Sequence, residues 1–245
     1  LVSLNKLVLS GNHLKSFPQE LQQLRNLQTL ILDRNRFSEI PPVLLSMPAL
    51  LTLDFSYNQI ESLPSNFGKL KTLYNLSLSG NKLTNISESI SDLQNLKSLA
   101  LFRGGFKSLP KSFGKLKNLR YLNISYCYSL SLEDVVETLS KIEGFQVLVL
   151  YHTKLTQLPD NLYKLRQLKE INIGSNPQLL LKKSLKKLTR LKKLEVLYLS
   201  NSGFKDLPNA IYKFKKLKTL VIYGNQIPAK RLKNIKRKLP KCSIY

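Results

Sequence analysis

Aromatic and cationic side chains recur from residue 102 onward: Phe102 and Arg103, then Tyr121 and Tyr126, Tyr151 and His152, then Tyr198, then Tyr223. Aromatic rings and guanidinium groups bury much area at little rotamer cost and keep a polar tip, so the chemistry on offer is recognition of a partner surface. The competing explanation is that half-exposed strands favour aromatic residues for their own stability. Bond-making is poorly supplied. His13 and His152 are far apart, with no nucleophile or paired carboxylate evident in register, and Asp33, Arg34 and Asp54 read as a solvated polar trio. The sequence holds no Gly-rich phosphate loop, H-E-x-x-H or G-x-S-x-G. Cys127 and Cys242 have neither metal-ligand spacing nor the density of a disulfide framework, and Cys127 reads as a structural residue. A non-enzymatic protein without a cofactor is expected.

A second candidate site is electrostatic. The net charge is +24, and residues 160–245 hold 22 Lys and Arg against 4 Asp and Glu. Lys182, Lys183, Lys186, Lys187, Arg190, Lys213, Lys216, Arg231 and Arg237 stand out as contacts for a polyanion such as a glycosaminoglycan, an anionic lipid surface or nucleic acid. Lysine outnumbers arginine, aromatics do not interleave and no base-reading motif occurs, so any such contact would be sequence-blind. A solvated face, or a coding bias towards lysine in a chain with few alanines, accounts for the same residues.

The elements that position these side chains follow from a repeat. Aligned leucines open each segment at Leu4, Leu27, Leu50, Leu73, Leu96, Leu119, Phe145, Leu168, Leu194 and Leu217; seven steps are 23 residues and two are 26. Each segment reads L-x-x-L-x-L-x-x-N, as in Leu4, Leu7, Leu9 and Asn12. The alternation has the period of a strand, and a strand this short buries its apolar side only by stacking with its copies. Positions three, five, seven and eight then face outward from one parallel sheet. Across units one to four those positions are small or polar, and from unit five they turn aromatic.

Pro18, Pro41, Pro64, Pro110, Pro159 and Pro208 each lie fourteen residues after an opening leucine, which places an extended or turn segment on the outer side. Twenty-three residues leave room there for turns or 3₁₀ pieces. The longer units are expected to be helical at 132–142, capped by Ser131, and at 181–191. The ninth position holds Asn12, Asn35, Asn58, Asn81, Asn176 and Asn225, whose amides can satisfy backbone groups of neighbouring turns; Gly104, Cys127, Thr153 and Ser202 replace them elsewhere.

These segments resemble the leucine-rich-repeat family in its 23-residue form with L-P in the outer half. The stretch from Ile227 and Pro228 to Pro240 and Tyr245 is similar to the C-terminal finish of bacterial members, spirochaete ones in particular, where a helix and last strand cover the final repeat. Cys242 would then be a buried cap residue. The resemblance implies an α/β solenoid: a right-handed horseshoe with a parallel concave sheet, a repeat body at 1–226 and a cap at 227–245. It also implies a secreted or surface protein that binds a protein partner, host proteins among the candidates. The N-terminal end shows no equivalent cap, so further residues are expected upstream. No apolar run reaches the roughly 18 residues of a membrane span.

Overall fold

A computed structural model describes residues 3–245; Leu1 and Val2, which the repeat reading includes, lie outside the described residues. Ten three-residue strands fall at positions three to five of the ten units: β1 (Lys6–Val8), β2 (Thr29–Ile31), β3 (Thr52–Asp54), β4 (Asn75–Ser77), β5 (Ser98–Ala100), β6 (Tyr121–Asn123), β7 (Val147–Val149), β8 (Glu170–Asn172), β9 (Val196–Tyr198) and β10 (Thr219–Val221). A short β11 (Ser243–Ile244) follows, and the sheet runs β1 to β11 in chain order. Every pairing is parallel, and like pairs with like: Leu30 faces Leu53, Leu53 faces Leu76 and Leu148 faces Ile171.

The outer arcs are 3₁₀ pieces in the 23-residue units, such as Gln19–Gln23, Pro42–Ser46 and Lys111–Lys115. The two longer units carry α1 (Leu132–Leu139) and α2 (Leu181–Leu188), and α3 (Ala229–Lys238) precedes β11. Ser131 caps α1 by accepting from the Asp134 N–H at 3.3 Å. Both helices end three residues short of expectation. Their last turns tighten, with Ile142 N donating to Leu139 O at 3.0 Å and Leu191 N to Leu188 O at 2.9 Å, and so return the chain to the next strand. Strands stack about 4.8 Å apart whereas packed helices need about 8–10 Å, so the sheet is the shorter, concave side.

Leucines at positions one, four and six, with Phe37, Phe55, Phe67, Phe106 and Phe113, form one continuous core. Leu148 is fully buried within it, so Leu148→Ala should cost on the order of 2–5 kcal/mol, read from the urea midpoint.

The asparagine ladder has the expected role. Asn58 donates from Nδ2 to Leu32 O at 2.9 Å and Phe55 O at 3.1 Å, while its Oδ1 accepts from Phe37 N at 3.0 Å. Asn35, Asn81, Asn176 and Asn225 repeat the pattern. Gly104 interrupts it for a steric reason: a Cβ there would sit 1.9 Å from the buried Phe106 ring, so Phe106 occupies the space an asparagine would need. Cys242 departs from the expectation of a buried cap residue. It is half-buried, because no described coil stacks beyond the last one.

Candidate partner-binding face

The outward side chains of the sheet are set by one backbone feature. The eighth residue of all ten units, from Gly11 through Arg34, Tyr57, Gly80, Arg103, Tyr126, His152, Ser175 and Asn201 to Gly224, has φ between +52° and +68°. Left-handed backbone costs a side-chain-bearing residue about 1–2 kcal/mol. The stacking holds it there: the N–H of position eight donates to the position-seven carbonyl of the next coil, as in Tyr57 to Ser79 O at 2.7 Å and Arg103 to Ser125 O at 2.9 Å. Three units relieve the cost with glycine. Others place Tyr57, Arg103, Tyr126 and His152 there.

The result is a continuous aromatic and cationic cluster along the C-terminal edge of the strands. Phe102 meets Tyr126 edge-on with ring centres 4.9 Å apart, and Tyr126 stacks on His152 at 4.5 Å. Tyr151 joins Tyr126 at 5.9 Å, and the Arg103 guanidinium lies 5.1 Å from the Phe102 ring and 5.4 Å from the Tyr126 ring. Three members escaped the sequence reading. Tyr57, assigned to the polar early units, reaches Phe102 at 6.3 Å by lying across Gly80, where an added Cβ would come within 2.7 Å of its ring. Tyr128 meets Tyr126 at 6.4 Å and carries Lys154 over its own ring at 4.7 Å. A bulky eighth residue followed one unit later by glycine was the available signal for Tyr57.

The expected row is therefore two groups. Phe102, Arg103, Tyr126, Tyr151 and His152 are brought together. Tyr121 and Tyr198 stand on the strands themselves, half-buried, and Tyr223 is 58% exposed and outside the ring contacts. Burial holds the phenols of Tyr121 and Tyr198 above the ordinary range.

In unit eight, beside the cluster, Gly174 packs so closely that a Cβ would lie 2.9 Å from Ser200 O. Next to it Nδ1 of His152 meets Oγ of Ser175 at 2.9 Å. The sequence reading gave His152 no hydroxyl partner, and the geometry supplies one: position eight of the next coil stands beside position eight of this one. Among the described residues no carboxylate bonds or ion-pairs with this histidine, so the pair fixes the ring against Tyr126 and lacks the orienting third group of a hydrolytic site.

Cys127 replaces the ladder amide with a thiol that donates to Leu101 O at 3.2 Å, and burial pushes its pKa up to about 11. Below that pH it stays neutral, and thiolates are the nucleophiles. Maleimide at neutral pH should therefore leave Cys127 unlabelled in the native protein and modify it only after unfolding, as peptide mass mapping would show.

Charge is partitioned between the two faces. Positions three, five, seven and eight of the sheet carry Lys6, Arg34 and Arg103 against Asp33, Asp54 and Glu170, a balance of zero in a chain of +24. The excess lies on the outer arcs. There Lys187 pairs with Asp160 at 2.9 Å, and Arg231 with Asp206 at 2.5 Å and Tyr212 Oη at 3.0 Å. Those two candidate polyanion contacts are thus committed within the fold, and Arg190 stacks over Tyr163 at 4.0 Å. Lys182, Lys183, Lys186, Lys213, Lys216 and Arg237 are exposed.

In-register units, a parallel sheet in chain order and a buried asparagine ladder are the architecture of the leucine-rich-repeat fold. Residues 25–83 and 71–128 match the leucine rich repeat family profile. A leucine-rich-repeat protein of the spirochaete Leptospira interrogans is similar over 99% of this chain and 72% of its own, at 28% identity and a TM-score of 0.57. Internalin C2 of Listeria monocytogenes shares the fold over 81% of this chain and 82% of its own, at 20% identity and a TM-score of 0.67. A chain of the Drosophila Toll–Spätzle complex shares it over 87% of this chain and 29% of its own, at 23% identity and a TM-score of 0.69. A comparison with curated proteins returns no match.

Proposed function

We propose that this protein is a non-enzymatic binding module that grips a protein partner on the concave face, with the Tyr57–Phe102–Tyr126–Tyr151 cluster as its anchor. One observation carries the reading: bulky side chains occupy left-handed positions that glycine fills in neighbouring coils, and together they form an open ring cluster instead of a core. Strain of this kind gathers where a surface is used. Aromatics with an arginine at the centre are the usual energetic centre of an interface. A neutral sheet face on so basic a chain favours a protein surface over a polyanion there. The fold is one that the Toll–Spätzle complex brings to a protein partner. A bacterial surface or secreted role, with host proteins as partners, is the biological setting we assign to it from the resemblance of its repeats and C-terminal finish to bacterial members of the family.

The test is a selection of displayed protein domains on the wild type, followed by binding to two variants. Tyr126→Gly with Tyr151→Ala should abolish binding, while Lys182→Glu with Lys186→Glu should leave it intact. Binders that ignore the ring variant and lose the lysine variant would overturn the concave reading.

A second reading rests on the outer arcs. Of the four acidic residues in 160–245, Asp160, Glu195 and Asp206 are each paired with a cation, so nearly all of the 22 cations there lack a carboxylate partner. Heparin retention surviving about 0.5 M salt would establish a specific polyanion site, since loose charge attraction is screened at that strength.

A further inference from the structure

We infer that the sheet face carries a second subsite, centred on Glu170, that receives a basic side chain of the partner. This rests on the concave-face reading above and adds to it the chemistry of one contact. Glu170 stands at position three of β8 between Val147 of β7 and Val196 of β9, its direct neighbours in the register. Tyr198 lies diagonally ahead on β9, about 8 Å away at the Cα level from the strand spacing and rise. Tyr121 shares the row two strands over, about 10 Å off. The half-buried Glu170 thus stands in a cradle flanked by two valines, with Tyr121 and Tyr198 near enough for its charge to raise their phenols.

What marks it out is that it is a half-buried carboxylate without a partner in a chain with 39 cations. The other half-buried carboxylates each hold one, Asp33 from Arg34, Asp54 from the Ser56 N–H and Glu195 from Lys218, whereas the Glu170 carboxylate makes neither an ion pair nor a hydrogen bond among the described residues. Its chain neighbour Lys169 acts on Glu195 instead. The Glu170 charge acts on the phenols of Tyr121 and Tyr198, and burial raises its own carboxyl above the ordinary range. A guanidinium or ammonium entering here would meet a charge already stripped of part of its water, where attraction is stronger than at an open surface, with tyrosine faces on two sides. The opposite edge of the strands presents Arg103, Lys154 and the rings. The ring cluster and the carboxylate therefore offer a partner two contacts of different chemistry.

The site is testable without the partner. Argininamide is titrated into the ¹³C-Tyr, ¹³C-Glu labelled protein, with citrullinamide as its uncharged counterpart. Saturable shifts at Tyr121, Tyr198 and the Glu170 carboxyl are expected from argininamide and none from citrullinamide; E170Q should abolish them and Tyr126→Gly should not. Equal shifts from citrullinamide, no saturation, or shifts surviving in E170Q would overturn the subsite. Stability supplies an independent readout. A raised carboxyl pKa means that the ionised form opposes folding above that pKa, so E170Q should raise Tm near neutral pH and give no gain at about pH 4. A lower Tm for E170Q at neutral pH would make Glu170 structural and end the proposal. Concentration-dependent association of the wild type, lost in E170Q, would put this chain's own lysines in the cradle and overturn its assignment to another protein. Failed ring-variant binding tests together with a positive argininamide titration would retire the aromatic anchor and leave the subsite standing.

Discussion

Replacing Asn176 with alanine is expected to remove about 3–5 kcal/mol of folding free energy, more than an ordinary surface-loop substitution could. The side chain is fully buried and makes five hydrogen bonds across two coils. Its Oδ1 accepts from Thr153 N at 3.0 Å and Leu155 N at 2.9 Å; its Nδ2 donates to Leu150 O, Ile173 O and Gly174 O at 3.0–3.1 Å. Two of those carbonyls have other donors, since Leu150 O also receives Thr153 Oγ1 and Gly174 O also receives His152 N. The alanine variant therefore strands two N–H groups and the Ile173 carbonyl, each costing about 1–3 kcal/mol when buried unpaired. Coils contact only their neighbours, so the damage should concentrate at the seam between units seven and eight. Urea melts would read the total, and hydrogen exchange at the amides of Thr153 and Leu155 would read the place. Asn12→Ala serves as the control, because that amide is exposed and, among the described residues, bonds within its own turn, to Leu9 O and Ser10 O. A loss at Asn176 no larger than that at Asn12 would show that the ladder is incidental to stability.

The same comparison explains what the residue order reveals. The ladder, the strands and the core leucines were legible because each is a one-residue decision repeated at a fixed interval, and a side chain of the wrong polarity there is costly. The cluster was half legible. Positions seven and eight could be placed on the sheet, yet the contact between Tyr57 and Phe102 depends on the missing side chain of Gly80 between them, a fact about a gap. Tyr128 lies past the ladder residue, where the repeat pattern assigns no face. Nothing in the residue order singles out Glu170, because the absence of a counter-ion shows only once the nearby lysines have a location. Lys187 and Arg231 were indistinguishable from their neighbours in sequence for the converse reason: Asp160 and Asp206, which claim them, lie 27 and 25 residues away on adjacent coils.

Tyr126→Gly should separate affinity from stability, and it carries the largest expected effect on binding. The ring anchors the cluster through Phe102, Tyr151 and His152, so its removal should cost about 2 kcal/mol or more of partner affinity, roughly thirty-fold. Stability responds to two opposing changes. Losing the ring contacts costs about 0.5–1.5 kcal/mol for each well-made aromatic pair, less for a half-exposed one. Glycine at φ +58° relieves about 1–2 kcal/mol of backbone strain. These nearly cancel, and Tm should move by no more than about 4 °C. Tyr126→Ala provides the discriminating comparison, since it loses the same contacts and keeps the strain. Glycine should therefore be more stable than alanine at this position by about 1 kcal/mol, the reverse of their order in a helix. Both variants should bind equally poorly, because neither has a ring. Alanine melting at or above glycine would show that the left-handed backbone carries no strain here, and the argument that the protein retains a costly side chain for the sake of its surface would fail with it.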